Sequence, residues 1–167
     1  MTEEVKRNYL EINSIKDLKE TNQSFDDFSI VLNDPINFQL NKFFYKNIGK
    51  KHRWVDRLIW SEQQWIDYVS NSKVKTYVLK KKDDLVGFFE LIFHLENKEV
   101  EIAYFGILEE YQNKKLGSFL LSEAIKKSFN ENINRVWLHT CSLDHENALK
   151  NYLARGMKIY KTEIVKI

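Results

Sequence analysis

The stretch that most limits what this chain can fold into is Glu101-Ile-Ala-Tyr-Phe-Gly-Ile-Leu-Glu-Glu-Tyr-Gln-Asn-Lys-Lys-Leu-Gly-Ser-Phe-Leu-Leu121, because its apolar period changes partway along. Val100, Ile102 and Tyr104 alternate with Glu101, Ala103 and Phe105, as on a strand. From Leu116 onward, Leu116, Phe119, Leu120 and Ala124 draw one apolar stripe on a helix. Between the two lies the polar turn Tyr111–Gly117, which brings unpaired amides to a helix N-terminus, where N–H groups and dipole favour an anion. A helix of this length leading into Arg135–Cys141 predicts a crossover, with the two flanking strands parallel.

The remaining segments fall into place around that unit. Tyr9–Asn13 and Phe28–Leu32 are short strands, and Ser14–Asn22 holds a helical turn or two. Asp34 followed by Pro35 starts a helix that runs to Ile48 and ends on Gly49. Ser61 and Gln64 form a capping box for a second helix carrying Trp65, Ile66, Tyr68 and Val69. Thr76–Leu79, Leu85–Phe93 and Val100–Leu108 make a three-strand meander. Glu146–Arg155 is a short helix capped by Gly156, and Met157–Ile167 a terminal strand. The order is α+β-like at the start and α/β at the end. Residues 1–167 make a single domain, and the sheet is mixed and twisted with helices on both faces.

Composition narrows the function classes. Basic residues number 26 against 24 acidic, a net of +2, which gives no clustered excess for a nucleic-acid partner. Cys141 is the only cysteine, so neither an internal disulfide nor a cysteine-based zinc cluster can form. No apolar run is long enough for a membrane span, and the first residues lack a signal-peptide core. The expectation is a cytoplasmic protein, monomeric or homodimeric, with no membrane or metal.

The loop Gln112-Asn-Lys-Lys-Leu-Gly117 resembles the acyl-CoA pyrophosphate loop of the GNAT N-acetyltransferase superfamily, Gln/Arg-x-x-Gly-x-Gly/Ala, with Lys115 in place of the middle glycine. Asn147-Ala-Leu-Lys-Asn-Tyr-Leu-Ala-Arg-Gly-Met157 is similar to the helix that closes GNAT domains, with Tyr152 four residues before Gly156 and Met157 in the usual Phe place. The resemblance covers about residues 76–162, and with the segments around Trp54 and Trp137 it points to a bacterial subgroup whose substrates are largely unassigned. It implies a GNAT acyl-CoA N-acyltransferase fold, with acceptor-side elements in 1–75 and the acetyl-CoA-binding core in 76–167.

That resemblance also implies a reaction and its residues. Acetyl transfer from a thioester to a primary amine needs a base for the ammonium and a proton donor for the leaving thiolate. Glu101, eleven residues before Gln112, matches the family's glutamate base, and Glu90 on the adjacent strand is its competitor. Tyr152 matches the family's general acid. Phe105, Gly106 and Ile107 would offer main-chain groups to the pantetheine arm, with Gly106 allowing a bulge or splaying. The amides of Gln112, Asn113, Lys114, Lys115, Leu116, Gly117 and Ser118 would meet the phosphates, and Asn147 the CoA arm. Trp54, Asp56, Arg57 and Trp60, with Glu90 and His139, would line the acceptor pocket. The rival from another class is an acyl-CoA-binding or interaction module with little or no turnover, which the lysine at 115 keeps open.

Overall fold

The computed structural model describes residues 2–21, 25–112 and 114–167. Seven strands form one sheet: β1 (Glu4–Ile12), β2 (Phe28–Leu32), β3 (Val74–Lys81), β4 (Asp84–His94), β5 (Glu99–Ile107), β6 (Arg135–Cys141) and β7 (Lys158–Lys166). Their order across the sheet is β2-β3-β4-β5-β6-β1-β7. Four helices accompany them: α1 (Phe38–Gly49), α2 (Glu62–Val69), α3 (Leu116–Ser128) and α4 (Ala148–Ala154). Among the described residues the only parallel pair is β5 with β6, the two strands joined by α3, as a crossover requires.

The helices lie on both faces of the sheet. Phe88 packs in a cluster with Phe44 and Ile48 of α1, whereas Phe89 belongs to the larger core that includes Leu116, Leu120 and Ile125 of α3. Consecutive residues of a strand point to opposite faces, so α1 and α3 cover opposite sides. The larger core also holds Leu10, Ile12, Val136, Leu138, Tyr152 and Met157, all nearly excluded from solvent. Burying a side chain of this kind stabilises the fold by roughly 1.5–3 kcal/mol.

Several boundaries differ from the sequence expectation for identifiable reasons. β1 begins five residues earlier than Tyr9, because it is paired on both sides, with β6 and with β7, and does not depend on its own alternation. α1 starts at Phe38, not Pro35. Asn33 ties its side chain to the main chain of Asn37, at 3.0 and 3.3 Å, and Asn37 caps the helix by accepting from Gln39 N at 3.0 Å. Gly49 ends α1 not as a left-handed cap but as a point of contact, since a Cβ there would stand 2.5 Å from Trp54 Cβ. α2 carries the full capping box between Ser61 and Gln64. Within Ser14–Asn22 one 3-10 turn forms, Ile15–Asp17, and Asn22 lies outside the described residues.

Candidate active site

The two parallel strands stay together for only three residues. Glu99, Val100 and Glu101 pair with Arg135, Val136 and Trp137, and beyond that point no pairing joins β5 to β6. Leu91 faces Ile102 while Glu90 faces Tyr104, so Ala103 is a bulged residue without a partner on β4. A bulge bends the strand and raises its twist, which turns the end of β5 away from β6. The strand bends at Ala103, therefore, and not at Gly106. Glycine at 106 answers a different need: a Cβ there would stand 2.6 Å from Ile48 Cγ2 of α1. A cavity of about 1000 Å³ opens where the strands part.

Main-chain groups of β5 face this gap. Leu108 N donates to Val86 O at 2.8 Å, which fixes the alternation so that Tyr104 and Gly106 point to β4, and Phe105 and Ile107 to the cavity. Ile107 O accepts from the Gln112 side-chain amide at 3.3 Å. Phe105, Gly106, Ile107, Gln112, Lys115, Leu116, Gly117, Ser118 and Asn147 all line the cavity. Lys114 does not; its ammonium lies 5.6 Å from the Tyr111 ring centroid. Asn113 lies outside the described residues.

Lys115 is the residue before α3 and sits in the left-handed region, at φ 62° and ψ 13°. This is a conformation a glycine adopts without penalty, and a side chain there costs about 1 kcal/mol or more. The Lys115 side chain does not cap α3, and among the described residues the amides of its first turn have no capping acceptor. Ser118 Oγ donates to Lys115 O at 2.9 Å and thereby closes the turn from below. A Cβ at Gly117 would meet Asn151 Nδ2 at 3.6 Å, an ordinary van der Waals contact.

Glu101 lines the cavity with one-fifth of its side chain exposed, and its Oε1 is 3.2 Å from His94 Nε2. His94, on β4, stands outside the lining and is itself part-exposed. Tyr152 faces the same cavity from α4, edge-on to Phe105 at 6.3 Å between ring centroids. Burial pushes its phenol well above the ordinary range, and the charge of Asp144 adds to that. The hydroxyl therefore keeps its proton at neutral pH. Asp144 accepts from Thr140 Oγ1 and from Cys141 N at 3.1 Å, which holds the loop after β6.

Glu90 occupies a different environment. It is fully buried and takes no part in the cavity wall. Asn41 Nδ2 donates to it at 2.7 Å, Tyr68 OH at 2.8 Å, and the Arg57 guanidinium at 3.0 Å. Arg57 is ringed by Tyr45, Trp60, Trp65, Tyr68 and Tyr104, with the nearest ring centroid at 4.1 Å. Burial alone would lower its pKa, but the charge and hydrogen bond of Glu90 reverse that and raise it. Glu90 thus has no free face to present to a substrate; its lone pairs are committed to holding the α1–α2 loop on the sheet.

That loop forms the second wall. Trp54 and Asp56 line the cavity, Trp54 edge-on to Tyr104 at 4.8 Å. His52 Nδ1 donates to Leu143 O at 2.9 Å, linking the α1–α2 loop to the β6–α4 loop across the cavity mouth. His139 lies in the concavity, open to it, 5.5 Å from the Tyr9 ring. Surrounding protein and then the charge of Arg7 push its imidazole below the usual value, while Glu101 pulls the other way. Trp60, expected at the acceptor pocket with Arg57, packs against that guanidinium instead of lining the cavity. Sequence reasoning missed Arg7 and His94. Nothing in their spacing relates them to Glu101, because the link runs through sheet register. Among the described residues no three His, Cys, Asp or Glu side chains cluster as a metal site would require, and no helix is long and apolar enough to cross a membrane.

A family model described as the acetyltransferase (GNAT) family matches residues 38–157. No curated protein sequence matches the chain. Among solved structures, a GCN5-related N-acetyltransferase from Sphaerobacter thermophilus superimposes with TM-score 0.75 at 11% identity, over 97% of this chain and 50% of that one. A functionally unknown conserved protein from Staphylococcus epidermidis gives TM-score 0.61 at 20% identity, over 98% and 61%. An aminoglycoside acetyltransferase from an uncultured soil metagenomic sample gives 0.64 at 10% identity, over 78% and 88%. The chain spans about half to three fifths of the length of the first two.

Proposed function

The chain belongs to the GNAT acetyltransferase family, whose chemistry is acyl transfer, and from that premise we propose that it moves an acetyl group from acetyl-CoA to a primary amine by direct attack in a ternary complex. The observation that carries this reading is the gap between β5 and β6, with Glu101 and Tyr152 both on its wall. The residues present fit the cofactor. Phe105 and Ile107 turn main-chain donors and acceptors into the gap, as strand-like pairing with a pantetheine amide needs. The first turn of α3, with Leu116, Gly117 and Ser118 on the cavity wall, suits a pyrophosphate. Lys115 turns an exposed side chain to the rim, where its ammonium adds a cation and its backbone serves the turn.

Bound acetyl-CoA would supply an activated acyl group as a thioester. Glu101 takes the proton of the incoming ammonium at its carboxylate, with His94 against its Oε1 to orient it and pass charge toward solvent. Tyr152 holds its Oη proton for the departing thiolate. Trp54 and the α1–α2 loop close the amine's side of the cavity. We place the reaction in the cytoplasm, with a small molecule or a protein amino group as the acceptor.

The test is calorimetry with acetyl-CoA, followed by amines with free-thiol detection. Micromolar binding and amine-dependent thiol release are expected, and Tyr152→Phe should slow release on the order of tenfold with affinity for acetyl-CoA retained. Binding without release from any amine would make the chain an acyl-CoA-binding module. No binding at millimolar cofactor would remove both readings.

A further inference from the structure

Four arginines line the cavity among the described residues; Arg155, at the end of α4, keeps Nε and Nη1 buried without a partner, and the other three differ in how their charge is met. Arg57 is neutralised by Glu90, and Arg53 is paired with Glu3. Arg7 lies on β1 opposite Cys141 and lines the cavity with His139 and Glu101. Its Nε is buried and has no hydrogen-bond partner. Its one ionic neighbour is Glu163, at 4.0 Å from Nη1, beyond hydrogen-bond reach. Glu163 Oε1 already accepts from Tyr9 OH at 2.6 Å, and Oε2 lies 3.5 Å from Lys161 Nζ. Asp144, another carboxylate of the cavity wall, is bound to Thr140 and Cys141 N. A buried donor left without an acceptor is destabilising, and a ligand that enters the cavity is one source of that acceptor.

Resting on the acyl-transfer reading, we propose that the acceptor amine also carries an oxyanion, a carboxylate or a phosphate monoester, which Arg7 binds on the β1–β6 wall. Guanidinium is the cation whose planar fork matches both groups in two parallel hydrogen bonds. Glu101 pairs with Trp137 and Arg7 with Cys141, the residues two before and two after His139 on the same face of β6, so the two groups flank that imidazole along the strand. A zwitterionic acceptor would meet a carboxylate with its ammonium end and a guanidinium with its anionic end. A polycationic acceptor would set one of its own charges against Arg7. The inference therefore separates amino-acid-like and phosphoamine acceptors from polyamines and aminoglycosides.

The experiment uses the full chain with acetyl-CoA and matched amines, read by free-thiol release. The pairs are L-amino acids against their amides, phosphoethanolamine against ethanolamine, and a polyamine alone; the first two pairs distinguish carboxylate from phosphate. The charged member of one pair should exceed its neutral partner by about 10- to 100-fold in kcat/KM. Arg7→Gln should bring that ratio near one, and Arg7→Lys should restore part of it. The melting temperature of Arg7→Gln should match or exceed that of the parent, because an unpaired buried donor has been removed. Equal or better rates with the neutral partners, preference for the polyamine, a ratio unmoved by Arg7→Gln, or a fall in Tm of more than about 4 °C would each overturn the proposal. So would a panel silent throughout while acetyl-CoA binds. Failure to bind acetyl-CoA brings down the acyl-transfer reading itself, which keeps the two failures apart.

Discussion

Glu90 and Glu101 stand on neighbouring strands, and either could serve as a base on residue type alone. The structure gives them opposite surroundings. Glu90 has three donors around it, no solvent, and a guanidinium held in a ring of aromatic side chains. Glu101 has one imidazole neighbour and an open cavity in front. A carboxylate whose lone pairs are all engaged is part of the scaffold; one with a free oxygen on a cavity is available to a ligand. Between them lies the bulge at Ala103, which separates the continuous sheet from the part that opens.

The contrast can be broken at its strongest point first. Glu90→Gln leaves the Arg57 charge buried without a counterion and should cost about 3–5 kcal/mol, a drop on the order of 10 °C in Tm. A melt within 2 °C of the parent, in parallel thermal scans, would mean that the two carboxylates are less different than their surroundings indicate. Glu101→Gln should do the reverse. Turnover should fall about a hundredfold with the Tm nearly unchanged, as followed by thiol release and a melt on the same preparation. Substantial unfolding with Glu101→Gln, or full activity, would erase the distinction.

The smallest expected effect is on alkaline stability. Burial raises the phenols of Tyr68 and Tyr104 on the closed side and of Tyr152 on the open side above their usual value. A raised phenol pKa means the folded state retains protons that the unfolded chain releases. Its contribution is intact below about pH 10, where unfolded tyrosine ionises, and is lost progressively above it. Thermal melts should be level between pH 8 and about 9.5 and decline beyond. Tyr68→Phe should flatten that decline more than Tyr152→Phe, because Tyr68 also donates to Glu90; equal flattening would blur the line between the two regions.

Much of this arrangement was legible in the sequence, and the parts that were not share a cause. The change of period at Leu116, the Ser61–Gln64 capping box and the parallel crossover are local properties, and local spacing encodes them. The convergence of Glu101, Tyr152 and the loop before α3 on one cavity likewise follows from motifs that keep their own spacing. The partnership of residues 41, 57, 68 and 90 does not, since it depends on how a loop settles on a sheet. β1 hides its first half for a similar reason: Lys6 and Arg7 break the alternation, and two neighbouring strands hold it in place. The glycine at 106 misleads because glycine marks both bends and close contacts, and here Ile48 decides which.

Arg57 has one more consequence, for how such a protein could change its clientele. The loop it anchors exposes Val55, Leu58 and Ile59 to solvent, and Val55 borders the cavity. Positions next to a fixed anchor can be rewritten with little risk to folding, since exposed substitutions are mostly near neutral. The anchor is held by Glu90 of β4 and the rings around it, so the loop residues beside it carry little of the fold's stability. New acceptors could thus be tried, in nature or in the laboratory, by varying a few surface residues while the acyl-transfer apparatus stays untouched.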